Sequence, residues 1–331
     1  MPHSKRGVDE FWQRRGPAAW LLLPVGIVFF LIVALRRLLY QAGVLAAIRL
    51  PVPVVVVGNI IAGGAGKTPL VLMLAEELAR RGRRPGVISR GYGGGAEGVR
   101  KVSDGDTAAE VGDEPLLIWR RAGCPVFVGR DRVAAARALL AAHPDCDLVI
   151  SDDGLQHYRL VRDVEIAVMD GRGLMNGWPL PAGPLREPAS RLGTVDAVVS
   201  NGWEGLDGAA GFRMRLVGDR IVSLDGTASC SATELKGRRI HAVAGIGDPD
   251  RFFRHLSTLG LAFEAHSFPD HHPYAAGDLD FSGDAILTTE KDAVKFGGIP
   301  KLPVWVLPVT AQVEPDLAQF ILEKINGRTS A

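Results

Sequence analysis

The sequence predicts an α/β fold: a doubly wound, mostly parallel sheet, a second and smaller α/β lobe after it, and a membrane helix before it. Three observations carry this. Short β-branched runs alternate with helical stretches after Leu50. A glycine-rich turn joins one such strand to one such helix. An uncharged apolar stretch stands near the N-terminus. The chain has 331 residues, 47% of them apolar, enough for two cores. These features divide it into an anchoring region (1–45), a first lobe (46–191) and a second lobe (192–331) with a hairpin linker near 211–224.

Ala18 to Leu35 carries no charge over 18 residues. As a helix it spans roughly 27 Å, close to the hydrocarbon thickness of a bilayer. Arg14 and Arg15 precede it, Arg36 and Arg37 follow, and Trp12, Trp20 and Tyr40 stand near its ends. A transmembrane anchor, a helix lying in one leaflet, a buried core helix and a signal peptide all share this pattern. No Ala-x-Ala cleavage site follows, which argues against the last.

Val52–Val57 is a β-branched run suited to a buried parallel strand. Thr68–Arg81 then repeats leucine at 70, 74 and 78 and stops at Gly82, as an amphipathic helix does. Gly86–Ser89, Pro125–Val128, Asp147–Ser151 and Val164–Asp170 read as strands, with an alanine-rich helix from Asp131 to Ala142. Beyond a Pro/Gly-rich loop, Asn176–Pro188, come a strand at Val195–Val199 and an alternating stretch, Phe212–Leu224, that reads as a hairpin about Gly218-Asp219. Ile240–Ala244 is a strand. Asp248 caps the helix after it, with Pro249 at its first position. Strands at Ala285–Thr288 and Val304–Val309 and a helix from Pro315 to Ile325 complete the chain.

Between the first strand and helix lies Val57-Gly58-Asn59-Ile60-Ile61-Ala62-Gly63-Gly64-Ala65-Gly66-Lys67-Thr68-Pro69. Strand, glycines, Lys-Thr and helix together predict a P-loop NTPase-like site for ATP or GTP. Gly63, Gly64, Ala65 and Gly66 turn backbone N–H groups toward phosphate oxygens, Lys67 reaches the terminal phosphates, and Thr68 offers its hydroxyl to Mg²⁺. Ile61 replaces the first glycine of the common pattern, so the loop is of the Gly-Gly-x-Gly-Lys-Thr kind. Asp152 and Asp153 end an apolar strand, where acids hold Mg²⁺ or its waters. Ser89–Gly95 is a second glycine-rich stretch and reads equally as a mobile loop or a passive linker. Asp270-His271-His272 crowds two imidazoles beside a carboxylate without a third ligand at zinc spacing. Arg130, Arg132 and the Arg186-Glu187 pair read as surface charges when taken alone.

A net charge of +1 gives no case for nucleic-acid binding. The three cysteines, Cys124, Cys146 and Cys230, form no disulfide or zinc pattern, which fits a reducing compartment.

Taken together, these blocks resemble the tetraacyldisaccharide 4'-kinase family of lipid A biosynthesis. The resemblance runs through the phosphate loop, Ser89-Arg90-Gly91-Tyr92-Gly93, Gly112-Asp113-Glu114-Pro115 and Asp152-Asp153-Gly154-Leu155-Gln156-His157. It continues through Pro181–Pro188, Gly245-Ile246-Gly247, Phe268-Pro269-Asp270-His271 and Thr289–Lys295, in order. It implies an ATP- and Mg²⁺-dependent kinase on the cytoplasmic face of a bacterial inner membrane. Its substrate would be a lipid A precursor disaccharide within inner-membrane lipid, phosphorylated at the 4'-hydroxyl, with no obligate protein partner. By the same resemblance Asp113 is the base, His271 its partner and Lys67 the phosphate cation. Thr68, Asp152, Asp153 and Glu187 fall at the metal. The alternative that shares the loop is a membrane-associated ATPase switch or transport ATPase. A GTPase fits less well, because Thr289-Glu290-Lys291-Asp292 is not its base-reading Asn-Lys-x-Asp.

Overall fold

A computed structural model describes residues 11–95, 97–205 and 210–329; residues 1–10 of the anchoring region, and four positions inside the expected linker region or just before it (206–209), lie outside the described residues. The larger unit is built on nine strands: β1 (Val54–Gly58), β2 (Pro85–Ser89), β3 (Val99–Lys101), β4 (Val126–Gly129), β5 (Leu148–Asp152), β6 (Val164–Asp170), β7 (Ala197–Asn201), β8 (Ala210–Val217) and β15 (Thr310–Glu314). Their order is β15-β8-β7-β6-β1-β5-β2-β4-β3, parallel except at the two edges. The period of two along a strand sets up both cores. On β1, Val55 and Val57 enter one core while Val54 and Val56 enter the other. Helices α2 (Lys67–Arg80), α3 (Asp113–Ala122) and α6 (Leu317–Thr329) belong to the first face. Helix α4 (Arg132–Ala142), capped by the Asp131 carboxylate, covers the second.

The smaller unit holds β9 (Arg220–Ser223), β10 (Ser229–Ser231), β11 (Ile240–Ala244), β12 (Glu264–Ser267), β13 (Ala285–Thr289) and β14 (Val304–Leu307), ordered β10-β9-β14-β13-β11-β12. Its helix α5 (Pro249–Thr258) is capped by Asp248, as the sequence indicates.

Two expectations are corrected here. The stretch 212–224 is not a hairpin. β8 pairs with β7 and β15, whereas β9 pairs with β10 and β14 in the other sheet. A two-residue hairpin needs positive φ, and neither Gly218 nor Asp219 has it. Gly218 serves another purpose: a Cβ there would stand 2.1 Å from the Pro308 carbonyl oxygen, so the outgoing and returning chains cross in contact. The boundary at 192 also falls inside the larger unit, because β7, β8, β15 and α6 after it all complete the first sheet and core. Alternation along a strand does not reveal which sheet it joins.

Helix α1 (Pro17–Gln41) has mean hydropathy 2.7 over its most apolar window, and only 11% of that window is buried. Leu21 is 80% exposed, and Val25, Val28, Leu31, Ile32 and Leu35 also face outward. It is therefore not a core helix. Its docked face meets the 176–188 loop: the Trp20 ring stands edge-on to Trp178 at 4.7 Å, and Gly26 passes so close that a Cβ would lie 2.9 Å from Pro179. Trp12 donates to the Pro181 carbonyl and Arg15 to that of Asn176.

Ile321 of α6 is fully buried in the first core. Ile321→Ala is expected to lower the unfolding free energy by about 2–5 kcal/mol in a denaturant titration. A loss under about 1 kcal/mol would mean that α6 only rests on the sheet.

Candidate functional site

The phosphate loop leaves the carboxyl end of the central strand β1, where open α/β sheets form their ligand crevice. Gly63 and Gly66 take φ of +95° and +88°, so the turn requires residues without a Cβ. Asn59 braces the loop by donating from its side-chain amide to the Gly63 carbonyl. Lys67 is buried at the start of α2, with Nζ 3.4 Å from Asn59 Oδ1 and 3.4 Å from Asp153 Oδ1. Thr68, one residue on, is buried as well.

Asp152 and Asp153 close β5 with opposite electrostatics. Asp152 is 1% exposed; Oδ2 accepts from the Ser89 hydroxyl, and Oδ1 has no hydrogen-bond partner among the described residues. Burial, with the nearby Glu114 and Asp153 charges, pushes its carboxyl well up. Asp153 sits at φ +48° and meets Arg186 Nη1 at 3.2 Å. Burial opposes ionisation there too, but Lys67 and Arg186 outweigh it and bring the carboxyl down to about 2.

Glu187 is fully buried. Oε1 accepts from Gln156 Nε2 at 2.7 Å, and Oε2 takes the Tyr158 hydroxyl and stands 3.3 Å from Arg191 Nε. It lies one side chain behind the loop, since Gln156 Nε2 also donates to the Asn59 carbonyl. Arg132, read from sequence as a surface charge, is instead 4% exposed and donates to the Gly129 carbonyl at the foot of its own helix.

Asp113 opens α3 after Gly112, whose φ of +92° makes the turn. His271 comes from the loop after β12 in the other lobe, at φ +61°. Its Nδ1 is 2.9 and 3.0 Å from the two Asp113 oxygens. The neighbouring His272 turns away, pairing with Asp278 at 3.0 Å and stacking on Phe268. Burial alone would raise the Asp113 carboxyl; the His271 hydrogen bond and the Lys291 and Lys295 ammoniums overcome it and hold it below the usual range. Past Ser89, the last residue of β2, the stretch to Gly95 is irregular and packs against the 109–112 backbone. A Cβ on Gly94 would lie 2.6 Å from the Glu110 carbonyl, and one on Gly112 2.8 Å from that of Tyr92. This close backbone packing sets the Tyr92 ring edge-on to His271 at 5.0 Å.

Several residues of the site carried no readable signal. Arg172 holds Asp170 and donates to the Gly64 carbonyl. Asn201 reaches the Ala65 carbonyl and accepts from Arg251 of the smaller lobe at 2.7 Å. The Thr289–Lys295 block joins the lobes: Glu290 meets Arg121 at 2.8 Å, and Lys291 meets Glu114 at 2.8 Å and Asp270 at 3.1 Å. Asp292 accepts from the Gly245 N–H. Gly247, two residues on, lies close to the phosphate loop: a Cβ there would stand 3.5 Å from Gly64 Cα.

Comparison with known proteins identifies the family. A profile of the family described as tetraacyldisaccharide-1-P 4'-kinase matches residues 18–326. The tetraacyldisaccharide 4'-kinase of Azoarcus sp. (strain BH72) is 53% identical over 329 residues, covering 97% of this chain and 96% of that protein. The one from Dechloromonas aromatica (strain RCB) is 54% identical over 325 residues, with 96% of each covered. The crystal structure of LpxK from Aquifex aeolicus, in complex with ATP, superposes with a TM-score of 0.80 at 32% identity, over 94% of this chain and 99% of that one. The chain belongs to the tetraacyldisaccharide-1-P 4'-kinase family.

Proposed function

We propose that this chain uses ATP with Mg²⁺ at residues 63–68 to phosphorylate the 4'-hydroxyl of a tetraacylated glucosamine disaccharide 1-phosphate, with Asp113 taking the acceptor proton. The activity is that of its family, a kinase step of lipid A biosynthesis. The observation that carries the assignment of roles is the Asp113–His271 pair, built from both lobes, with the adjoining Glu114 near enough for its charge to act on Asp152.

The residues fit a divalent ion. Asp152 Oδ1 is buried without a donor, and Thr68, Asp152 and Asp153 offer the hard oxygens that magnesium prefers, with Glu187 behind Gln156. Bound there, Mg²⁺ supplies positive charge to the terminal phosphate oxygens. Lys67, held between Asn59 and Asp153, adds an ammonium, and the loop amides add fixed dipoles. Asp113 is held ionised, so it is ready to accept a proton; His271 orients the carboxylate through Nδ1. Gly247 against Gly64 narrows access of water to the loop.

We place the enzyme at the cytoplasmic face of a bacterial inner membrane: the apolar, outward-facing helix α1 supports membrane association, and the need for ATP supports the cytoplasmic side. Its 25 residues run about 37 Å, enough to enter or cross the hydrocarbon. An anchored enzyme meets the acyl chains in the bilayer and avoids drawing them into water at about 0.8 kcal/mol per CH₂.

With labelled ATP, label is expected to move to lipid only when the disaccharide acceptor is present. Lys67→Ala should lower kcat by at least about 10²-fold, and Asp113→Asn by about 10²–10⁴ with little change in KM for ATP. An Asp113→Asn enzyme within about tenfold of wild type would remove the base assignment. Deleting residues 1–41 should leave the protein in the supernatant when anionic vesicles are pelleted; persistent pelleting would place membrane affinity elsewhere.

Asp153 also makes stability depend on pH. Its carboxyl falls from an ordinary 3.8 to about 2 on folding, so its contribution is complete above pH 3.8 and is lost as pH drops through about 2. Between those values the wild-type denaturation midpoint should fall more steeply than that of Asp153→Asn. Parallel curves would show that Lys67 and Arg186 do not stabilise the carboxylate.

A further inference from the structure

The smaller lobe carries a second group of chemistry-bearing side chains, away from the phosphate loop. His241 is the second residue of β11, and its strand partner is Glu264, the first residue of β12; His266 follows two residues later. His241 Nδ1 is 3.0 Å from His266 Nε2 and 3.5 Å from Glu264 Oε2, and His266 Nε2 is 3.8 Å from Glu264 Oε1. A tetrahedral zinc ion with bonds of about 2.1 Å separates its ligand atoms by about 3.4 Å. With a single Glu264 oxygen counted, the three ligand atoms lie within 4.8 Å of one another, a small movement of an exposed side chain away from that edge.

The surroundings favour ligation. His241 Nε2 faces the Ser282 carbonyl at 3.4 Å, so that nitrogen donates and the Nδ1 lone pair points into the cluster. A carbonyl partner of this kind fixes the tautomer and orientation of metal-bound imidazoles. Phe281 stacks on both rings, at 4.5 Å from His241 and 4.2 Å from His266. Gly283 leaves the room: a Cβ there would press on His241 Nε2 at 2.8 Å. Glu264 is 68% exposed, which leaves the outer side to water.

We propose that His241, Glu264 and His266 form a three-ligand site for a divalent first-row metal ion, zinc above all, with water completing the shell. Two imidazoles and a carboxylate suit zinc and its neighbours and do not suit magnesium. On binding, the Nε2 proton that His266 shares with His241 is replaced by the metal, and the His266 ring carries its proton on Nδ1, remaining neutral. The site sits near the amino ends of β11 and β12. The carboxyl ends of those strands lead to Gly245–Gly247 and to His271, about 10 Å further along. β12 is an edge strand whose residues are exposed or half-buried, so apolar packing holds it weakly. Ligation from both strands clips it to β11, upstream of the loop that bears His271.

The test uses the full chain, stripped with chelator, dialysed and kept in excess Mg²⁺, then titrated calorimetrically with Zn²⁺ alone. One equivalent should bind, raise Tm and slow amide exchange in β12. Glu264→Gln, at an exposed position, should weaken binding at least about tenfold, and His266→Ala at least about a hundredfold. Asp152→Asn should leave the zinc affinity unchanged, which separates this site from the phosphate loop. Absence of zinc uptake by the wild-type chain overturns the proposal. So does uptake of equal affinity in both ligand variants, which would place the ion at the cysteines or in the kinase site.

Discussion

The contact between Asp113 and His271 exists only while two lobes hold one another in register, and a buried ion cluster does the holding. Lys291 stands 2.8 Å from Glu114 and 3.1 Å from Asp270, the residues next to the two partners. Burial disfavours its charge, but Glu114, Asp270 and Asp113 more than reverse this, so it stays charged. Such a cluster is costly to assemble and costlier to break, since removing one member strands the other charges away from water. The aspartate and the histidine are therefore aligned by their neighbours in sequence. The second clamp, Arg121 with Glu290, starts from the last turn of the same helix α3.

The same economy of charge governs the phosphate loop. Lys67 lies between a neutral amide oxygen and the Asp153 carboxylate, and Asp153 is shared with Arg186. Asp152, next in line, is left with one oxygen unpartnered and with a carboxyl that resists ionisation. Positive charge arriving nearby lowers that resistance. The site is thus incomplete in its charges without a cation, while the backbone turn that would receive phosphates is already formed by Gly63 and Gly66.

Local chemistry made much of this legible in the sequence. The strand–loop–helix at 54–80, the cap at Asp248, and the acidic end of β5 each depend on neighbours within a few residues. What escaped depends on partners far along the chain. Gly218 looks like a turn glycine until Pro308 is seen against it. The final helix reads as part of the second lobe, yet it completes the first core together with β15, a strand the sequence pattern does not mark, because alternation reports burial and not the partner. Arg172 and Asn201 reach the loop, and Arg251 reaches Asn201, from segments with no motif. The His241–Glu264–His266 group is invisible as spacing, since parallel pairing of β11 and β12 brings it together across a helix.

The Pro/Gly-rich loop at 176–188 connects the two halves of the proposed function. At one end Trp178 and Pro179 seat the anchoring helix at Trp20 and Gly26. At the other, the Arg186 N–H donates to the Ile60 carbonyl, Pro184 accepts from the Ala62 N–H, and the Arg186 side chain holds Asp153. Seven residues thus separate Trp178, in contact with the apolar helix, from Arg186, in contact with the charged site. The segment is stiffened by prolines at 179, 181, 184 and 188, whose φ angles are fixed before folding. Movement of α1 relative to the phosphate loop must deform this segment or break its hydrogen bonds. In the membrane-anchored state proposed above, the depth of the helix in lipid would therefore also set the height of the phosphate loop above the headgroups.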